Sequence, residues 1–239
     1  MQAFGKARAP IKNQILAALP AQELEQMLAK FESVSLHSNQ VLYNPGEDIA
    51  YLYFPDCGLI SFVATMIDGT TVEVGMVGSE GIAGVPVLLG SNSMPYRASV
   101  QVRGHARRMR TDVFKDEIQR HSAFQHWLLR YAQSLLIQAA QTAACNRLHT
   151  VEERLCRWLL MVHDRLDSNE FLLTHEVIAK MLGSRRAGIT VAAGMLQRAG
   201  MINYIRGRIQ ILNRSALESS ACECYRIIRA ESNCSSLKK

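Results

Sequence analysis

The chain has no run of the roughly 18 apolar residues that a membrane-spanning helix needs, and no charged-then-apolar leader opens it. No membrane partner is expected, and a cytoplasmic location is. Cysteine is sparse: six in 239 residues, irregularly spaced, which excludes the disulfide framework of a small secreted domain. No nucleophile, base and orienting group stand together, so an enzyme is not expected. The seven histidines follow no metal-ligand pattern, so neither haem nor zinc is expected and no cofactor is assigned. From 112 to 166 there is neither glycine nor proline, and nothing local interrupts a helix there.

One further absence is the most informative. Residues 177–217 contain Lys180, Arg185, Arg186, Arg198, Arg206, Arg208 and Arg214 but no acid. Residues 1–110 balance nine bases against nine acids, so the net charge of +6 resides wholly in the second half. A basic, acid-free block calls for a polyanionic partner, or else forms a solvated basic face.

The chain divides by pattern. Residues 1–30 hold two short helices either side of Pro20. Residues 31–110 show short Val/Ile/Tyr/Phe-rich runs with turns at Asn44-Pro45-Gly46, Asp56-Cys57-Gly58, Asp68-Gly69 and Gly78. Such spacing predicts a jelly-roll-like β domain, Asp68-Gly69 being the clearest hairpin signal. Residues 111–149 read as a long helix on which Phe124, Leu128, Tyr131 and Leu135 repeat at coiled-coil spacing. That seam is expected to face a second copy of the chain, with packing on its own β domain as the alternative. The fold class is therefore α+β, closed by a DNA-binding domain over 150–225 and a tail over 226–239.

The pattern of that last domain is specific. Thr174 can cap a helix "HEVIAKM", Gly183 can take a positive φ, and Ser184 can cap the next helix. Ile189, Ala192, Ala193 and Leu196 then define one buried face. Arg185, Arg186, Ala187, Gly188 and Thr190 occupy the start of that helix and are expected to meet DNA. After Gly200, "MINYIRGRIQIL" alternates around Arg206-Gly207-Arg208 as a hairpin does. Helix, glycine turn, helix and basic hairpin make a winged helix-turn-helix. Its second helix would enter the major groove while Arg206 and Arg208 hold the flanking backbone of an operator duplex.

The stretches "PGEDIAYLYFPDCGLISF", "GSEGIAG…YRASVQV" and "LTHEVIAKMLGSRRAGITVAAGMLQRAGMI" resemble the Crp/Fnr family of bacterial transcription regulators. The resemblance runs from about Phe31 to Glu223. It implies a cyclic-nucleotide-binding-like β-roll, a dimerisation helix, a homodimer on a two-fold operator, and RNA polymerase as a candidate partner. It also implies that Arg186 pairs with a guanine edge. In cyclic-AMP-binding members a Gly-Glu pair grips the ribose and an Arg-Ser pair the phosphate. Here Gly84 matches the glycine, but Val85 replaces the glutamate, and Arg97 is followed by Ala98. The pair that meets adenine falls at Ala139 and Ala140. A valine accepts no hydrogen bond, so the effector pocket reads as degenerate and any effector as unknown. The alternative is ligand binding retained through Arg97. The family's iron-sulfur members use cysteines near the N-terminus, whereas the first here is Cys57. Cys222-x-Cys224 with Cys234 offers a metal or redox pair, weighed against ordinary reduced thiols on a terminal helix, the reading preferred.

Overall fold

A computed structural model of the chain describes residues 10–232. Helices α1 (Gln14–Ala17) and α2 (Ala21–Leu28) lie either side of Pro20. Asn13 caps the first by accepting from the Leu16 amide (3.3 Å), and its own amide donates to the carbonyls of Pro55 (3.1 Å) and Gly81 (2.8 Å). One side chain thus starts a helix and pins it to the next domain.

Five strands follow: β1 (Glu32–Leu36), β2 (Val41–Tyr43), β3 (Tyr51–Thr65), β4 (Thr71–Val77) and β5 (Arg97–Arg110). A helical turn, α3 (Val85–Leu88), precedes the last. They form one antiparallel sheet ordered β1-β5-β3-β4, with β2 paired to the first residues of β5. The Asp68-Gly69 hairpin turn joins β3 to β4, with Gly69 at φ +82° and the Met66 amide donating to the Thr70 carbonyl (2.8 Å). Asp56-Cys57-Gly58, expected as a turn, lies instead inside β3, where the pairing with β5 slips register. Gly58 takes φ +91°, and a Cβ there would stand 2.8 Å from the Val102 carbonyl oxygen; one on Gly104 would stand 2.1 Å from that of Cys57. Two facing glycines let the backbones close where the sheet bends, so turn chemistry marks a bulge here.

The stretch free of glycine and proline forms three helices rather than one: α4 (Thr111–Arg120), α5 (Ser122–Leu148) and α6 (Val151–His163). His121 makes the first break with extended backbone (φ −120°, ψ 97°). It is buried, its Nε2 lying 3.4 Å from the Glu117 carboxylate that also receives Lys30. The second break is local: Thr150 and Glu153 form a capping box that starts α6.

The expected dimer seam is corrected by this arrangement. Phe124, Leu128 and Tyr131 are buried within the single chain, in one core with Ile82, Val85 and Phe114, and Leu135 packs on the same core. Phe124 stacks on Phe54 with ring centroids 6.0 Å apart and meets Phe114 edge-on at 5.8 Å. Side chains with no surface left cannot touch a second chain. An open sheet has an apolar face that must be covered, and the nearest apolar stripe is the helix that follows it.

The remaining elements are β6 (Glu170–Leu172), α7 (His175–Leu182), α8 (Arg186–Arg198), β7 (Ile202–Ile205), β8 (Arg208–Ile211), α9 (Arg214–Ser220) and α10 (Cys224–Ser232). A three-stranded sheet ordered β6-β8-β7 backs the helices. Residues 226–232, expected in a tail, continue α10, which packs on α5 and α6 and buries Ile228. Two buried carboxylates on the β-roll reach this domain. Glu73 accepts from Trp158 Nε1 (2.8 Å) and from Ser61 Oγ (2.5 Å), and Glu80 accepts from Arg165 Nε (2.6 Å).

Candidate nucleic-acid interface

The reading head is built from short-range chemistry. Thr174 caps α7 by accepting from the Val177 amide (3.3 Å). Gly183 stops that helix at φ +56°, and the Gly183 and Ser184 amides return to the carbonyls of Lys180 (3.2 Å) and Ala179 (2.9 Å). Ser184 does not cap α8 as expected. Its hydroxyl turns back to the Leu182 carbonyl (3.5 Å), and Arg185 holds the N-cap position without a side-chain cap bond. The first amides of α8 are therefore left without a side-chain acceptor, at the positive end of a helix dipole.

Ile189, Ala192, Ala193 and Leu196 are buried, which fixes the rotation of α8. Arg185, Arg186, Ala187 and Thr190 are exposed or half-buried at its start, and Val191 is 60% exposed on the same side. A Cβ on Gly188 would meet nothing within 4 Å, so its smallness serves no contact inside the described chain. Beside this face, β7 and β8 are joined by the two-residue loop Arg206-Gly207, with φ +49° and +81°. Positive φ at both positions is the hairpin turn whose twist suits the strands. Arg206 is held there at the tip although it is no glycine, and it is exposed. Arg208, expected to be free for DNA, forms an ion pair with Glu170 on the adjacent strand.

Two residues escaped the sequence reading. The His175 ring stacks on Tyr204 (centroids 4.0 Å, 19° between planes), and its Nδ1 lies 3.1 Å from Thr190 Oγ1. Burial, and then the Arg186 charge, lower the His175 pKa, so the ring is neutral at pH 7. His175 thus joins α7, α8 and the wing into one body. Its partners lie 15 and 29 residues away, and no local pattern announces them.

The expected effector residues are placed differently. Gly84 takes φ +123°, and a Cβ on it would stand 2.8 Å from Leu52 Cγ. Val85 and Ala98 are buried in the packed core of the roll, whereas Arg97 is exposed on β5 opposite Val63. Ala139 and Ala140 are exposed on α5. The sheet of the β-roll also touches the reading head: Thr70 and Thr71 line a groove with Lys180, Ser184, Arg185 and Arg186, and a Cβ on Gly183 would lie 3.1 Å from Val72.

A β-roll followed by a winged helix-turn-helix with an exposed arginine-bearing helix is the architecture of a DNA-binding protein with an added β-roll domain. Residues 33–121 match the cyclic nucleotide-binding domain and residues 153–220 the Crp-like helix-turn-helix domain. Among solved structures, FixK2 from Bradyrhizobium japonicum superposes with a TM-score of 0.69 at 17% identity, over 80% of this chain and 98% of that one. A transcriptional regulator of the crp/fnr family from Eubacterium rectale gives 0.67 at 16% identity, over 87% and 97%. A CRP-family regulator from Thermus thermophilus gives 0.66 at 22%, over 79% and 96%. No curated relative matches in sequence. The chain belongs to the Crp/Fnr family of DNA-binding transcriptional regulators. Among the described residues no helix is long and apolar enough to cross a membrane.

Proposed function

We propose that this regulator works as a homodimer on a two-fold-related operator, reads bases through Arg186, Ala187, Thr190 and Val191, and does not take cyclic AMP in the roll. The observation that supports this most is the exposed face of α8 beside the Arg206-Gly207 tip. A guanidinium at the start of a groove-entering helix can pair with a guanine edge, while Ala187 and Val191 offer only apolar contact to thymine methyls. Arg206 has no ion-pair partner among the described residues and is the wing's natural phosphate contact.

Binding to an operator library at two salt concentrations tests the assignment. Arg186→Ala is expected to cost about 1–3 kcal/mol and to relax preference at one base pair in each half-site. Arg206→Ala is expected to weaken all sequences alike and to reduce the salt slope by about one. Cyclic AMP should leave both titrations unchanged, because Val85 and Ala98 sit in packed core. An even loss across the library for Arg186→Ala would make that arginine a phosphate clamp.

We place the candidate dimer seam on the face of α5 next to the buried stripe. Leu129 is 49% exposed and Leu136 is 70% exposed. With Ala132, Ala139 and Ala143 they repeat at alternating spacings of three and four, the pattern of two helices packed together. Leu129→Glu with Leu136→Glu should give monomers in sedimentation and lose most operator affinity. A double variant that still sediments as a dimer would place the seam elsewhere.

A further inference from the structure

Outside the reading head, three of the five described cysteines converge with a histidine. Cys145 and His149 stand four residues apart at the end of α5, and Cys222 and Cys224 bracket Glu223 at the start of α10. Their ligand atoms all lie within 4.8 Å of one another. Cys145 Sγ is 3.5 Å from Cys222 Sγ, and Cys224 Sγ is 3.6 Å from His149 Nδ1. A tetrahedral zinc with the usual bond lengths has sulfur–sulfur edges of about 3.8 Å and sulfur–nitrogen edges of about 3.6 Å. We propose that Cys145, His149, Cys222 and Cys224 bind one tetrahedral zinc ion, which staples the end of the roll's helix to the DNA-binding domain.

The surroundings suit such an ion. His149 presents Nδ1 to the cluster while its Nε2 lies 3.3 Å from the Glu223 carboxylate, the arrangement that fixes the ligating nitrogen of a metal-bound imidazole. Gln141 Nε2 donates to Cys224 Sγ at 3.2 Å, which favours a thiolate. Three thiolates and one neutral imidazole around Zn²⁺ carry a net charge of −1, the three thiol protons passing to solvent as the metal binds. A countercharge is at hand. Arg154 is buried, its guanidinium donates to the Leu182 carbonyl, and its Nε has no hydrogen-bond partner. Among the described residues no carboxylate lies within ion-pair distance of it. A buried arginine left without an anion is costly, and the thiolates of Cys145 and Cys222 formed on metal binding would supply that negative charge. A Cys145–Cys222 disulfide would use two of the four groups and leave Cys224 and His149 without a role. Cys234 lies outside the described residues. The ion would sit just before the α5–α6 break at His149 and Thr150, where any movement of the roll's helix against the reading domain must pass.

The test uses the full chain, purified without chelator, then stripped under reducing conditions and titrated with cobalt(II). Purified protein should hold one zinc ion per chain. Cobalt should bind in the same ratio with the intense visible bands of tetrahedral coordination and a thiolate charge-transfer band in the near ultraviolet. Cys222→Ser and Cys224→Ser should each lose those bands, whereas Cys57→Ser should keep them. His149→Cys should keep the stoichiometry and shift the bands toward the four-thiolate pattern, a readout that needs no destabilised variant. The proposal is overturned if reduced wild type takes up no stoichiometric cobalt or zinc. It is equally overturned if the bands survive Cys222→Ser and Cys224→Ser, or if zinc fails to prevent a Cys145–Cys222 disulfide on oxidation.

Discussion

Glu80→Ala is expected to lower the unfolding free energy by about 3–5 kcal/mol, the usual result of stranding one member of a buried ion pair. Glu80 and Arg165 are both buried where the β-roll meets the DNA-binding domain. Glu80 also accepts from the Gly78 amide (3.0 Å), and Arg165 Nη1 donates to the Met161 carbonyl (2.8 Å), so both charged groups are well partnered. Gly78 matters here for closeness, since a Cβ on it would stand 2.8 Å from Arg165 Cβ. Removing the carboxylate leaves the guanidinium desolvated and uncompensated. Replacing both residues together, Glu80→Met with Arg165→Met, should recover most of the loss, because two apolar side chains need no counter-ion. Urea unfolding followed by circular dichroism measures both. A loss below about 1 kcal/mol for the single variant, in the range of an exposed pair, would show that water reaches the site.

The second large effect is a pH dependence. Burial raises Glu73 from the ordinary 4.5 to about 7, opposed by its hydrogen bonds from Ser61 and Trp158 and by the charges of Arg157 and Arg165. The folded chain therefore holds this proton more tightly than the unfolded chain does. The resulting stabilisation is fully present below pH 4.5 and is lost as the pH rises to about 7. Its size is on the order of 1–3 kcal/mol. Glu73→Gln keeps both hydrogen-bonding partners and has no proton to lose, so its stability should fall less than wild type between pH 5 and 7.5. The difference between the two proteins isolates Glu73 from carboxylates whose pKa values are lowered, such as Asp112. Parallel pH curves would mean that Glu73 does not titrate in this window. The same carboxylate joins β4 to Trp158 of α6, so the pH effect falls on the joint between the β-roll and the DNA-binding domain.

Much of the reading head was legible because its signals are local. A cap threonine, a glycine needed at positive φ and an apolar face of period 3.6 all act within one or two turns. Thr174, Gly183 and the Ile189/Ala192/Ala193/Leu196 face follow that logic in the structure. Ser184 shows its limit, since a serine before a helix can cap forward or turn back, and here it turns back. Arg208 shows another: its charge was visible, but Glu170 across the sheet was 38 residues away.

What the sequence determined by itself was the order of parts, the place of the basic block, the helical faces and the family. Each depends on residue identity and short-range period, which the chain carries whether folded or not. The tertiary structure alone decided which apolar stripe of α5 was spent inside the chain. Phe124 and Tyr131 stand seven residues apart, as do Leu129 and Leu136 and then Ala143, and only the presence of the roll on one side separates core from candidate seam. It likewise turned Asp56-Cys57-Gly58 from a turn into a bulge, since a long partner strand was there to pair with. And it brought Cys145 and His149 to Cys222 and Cys224 across some 75 residues, because α10 folds back onto α5 to bury Tyr225 and Ile228. Contacts between distant segments follow from which surfaces remain uncovered once the local elements have formed, and that is a property of the packed whole.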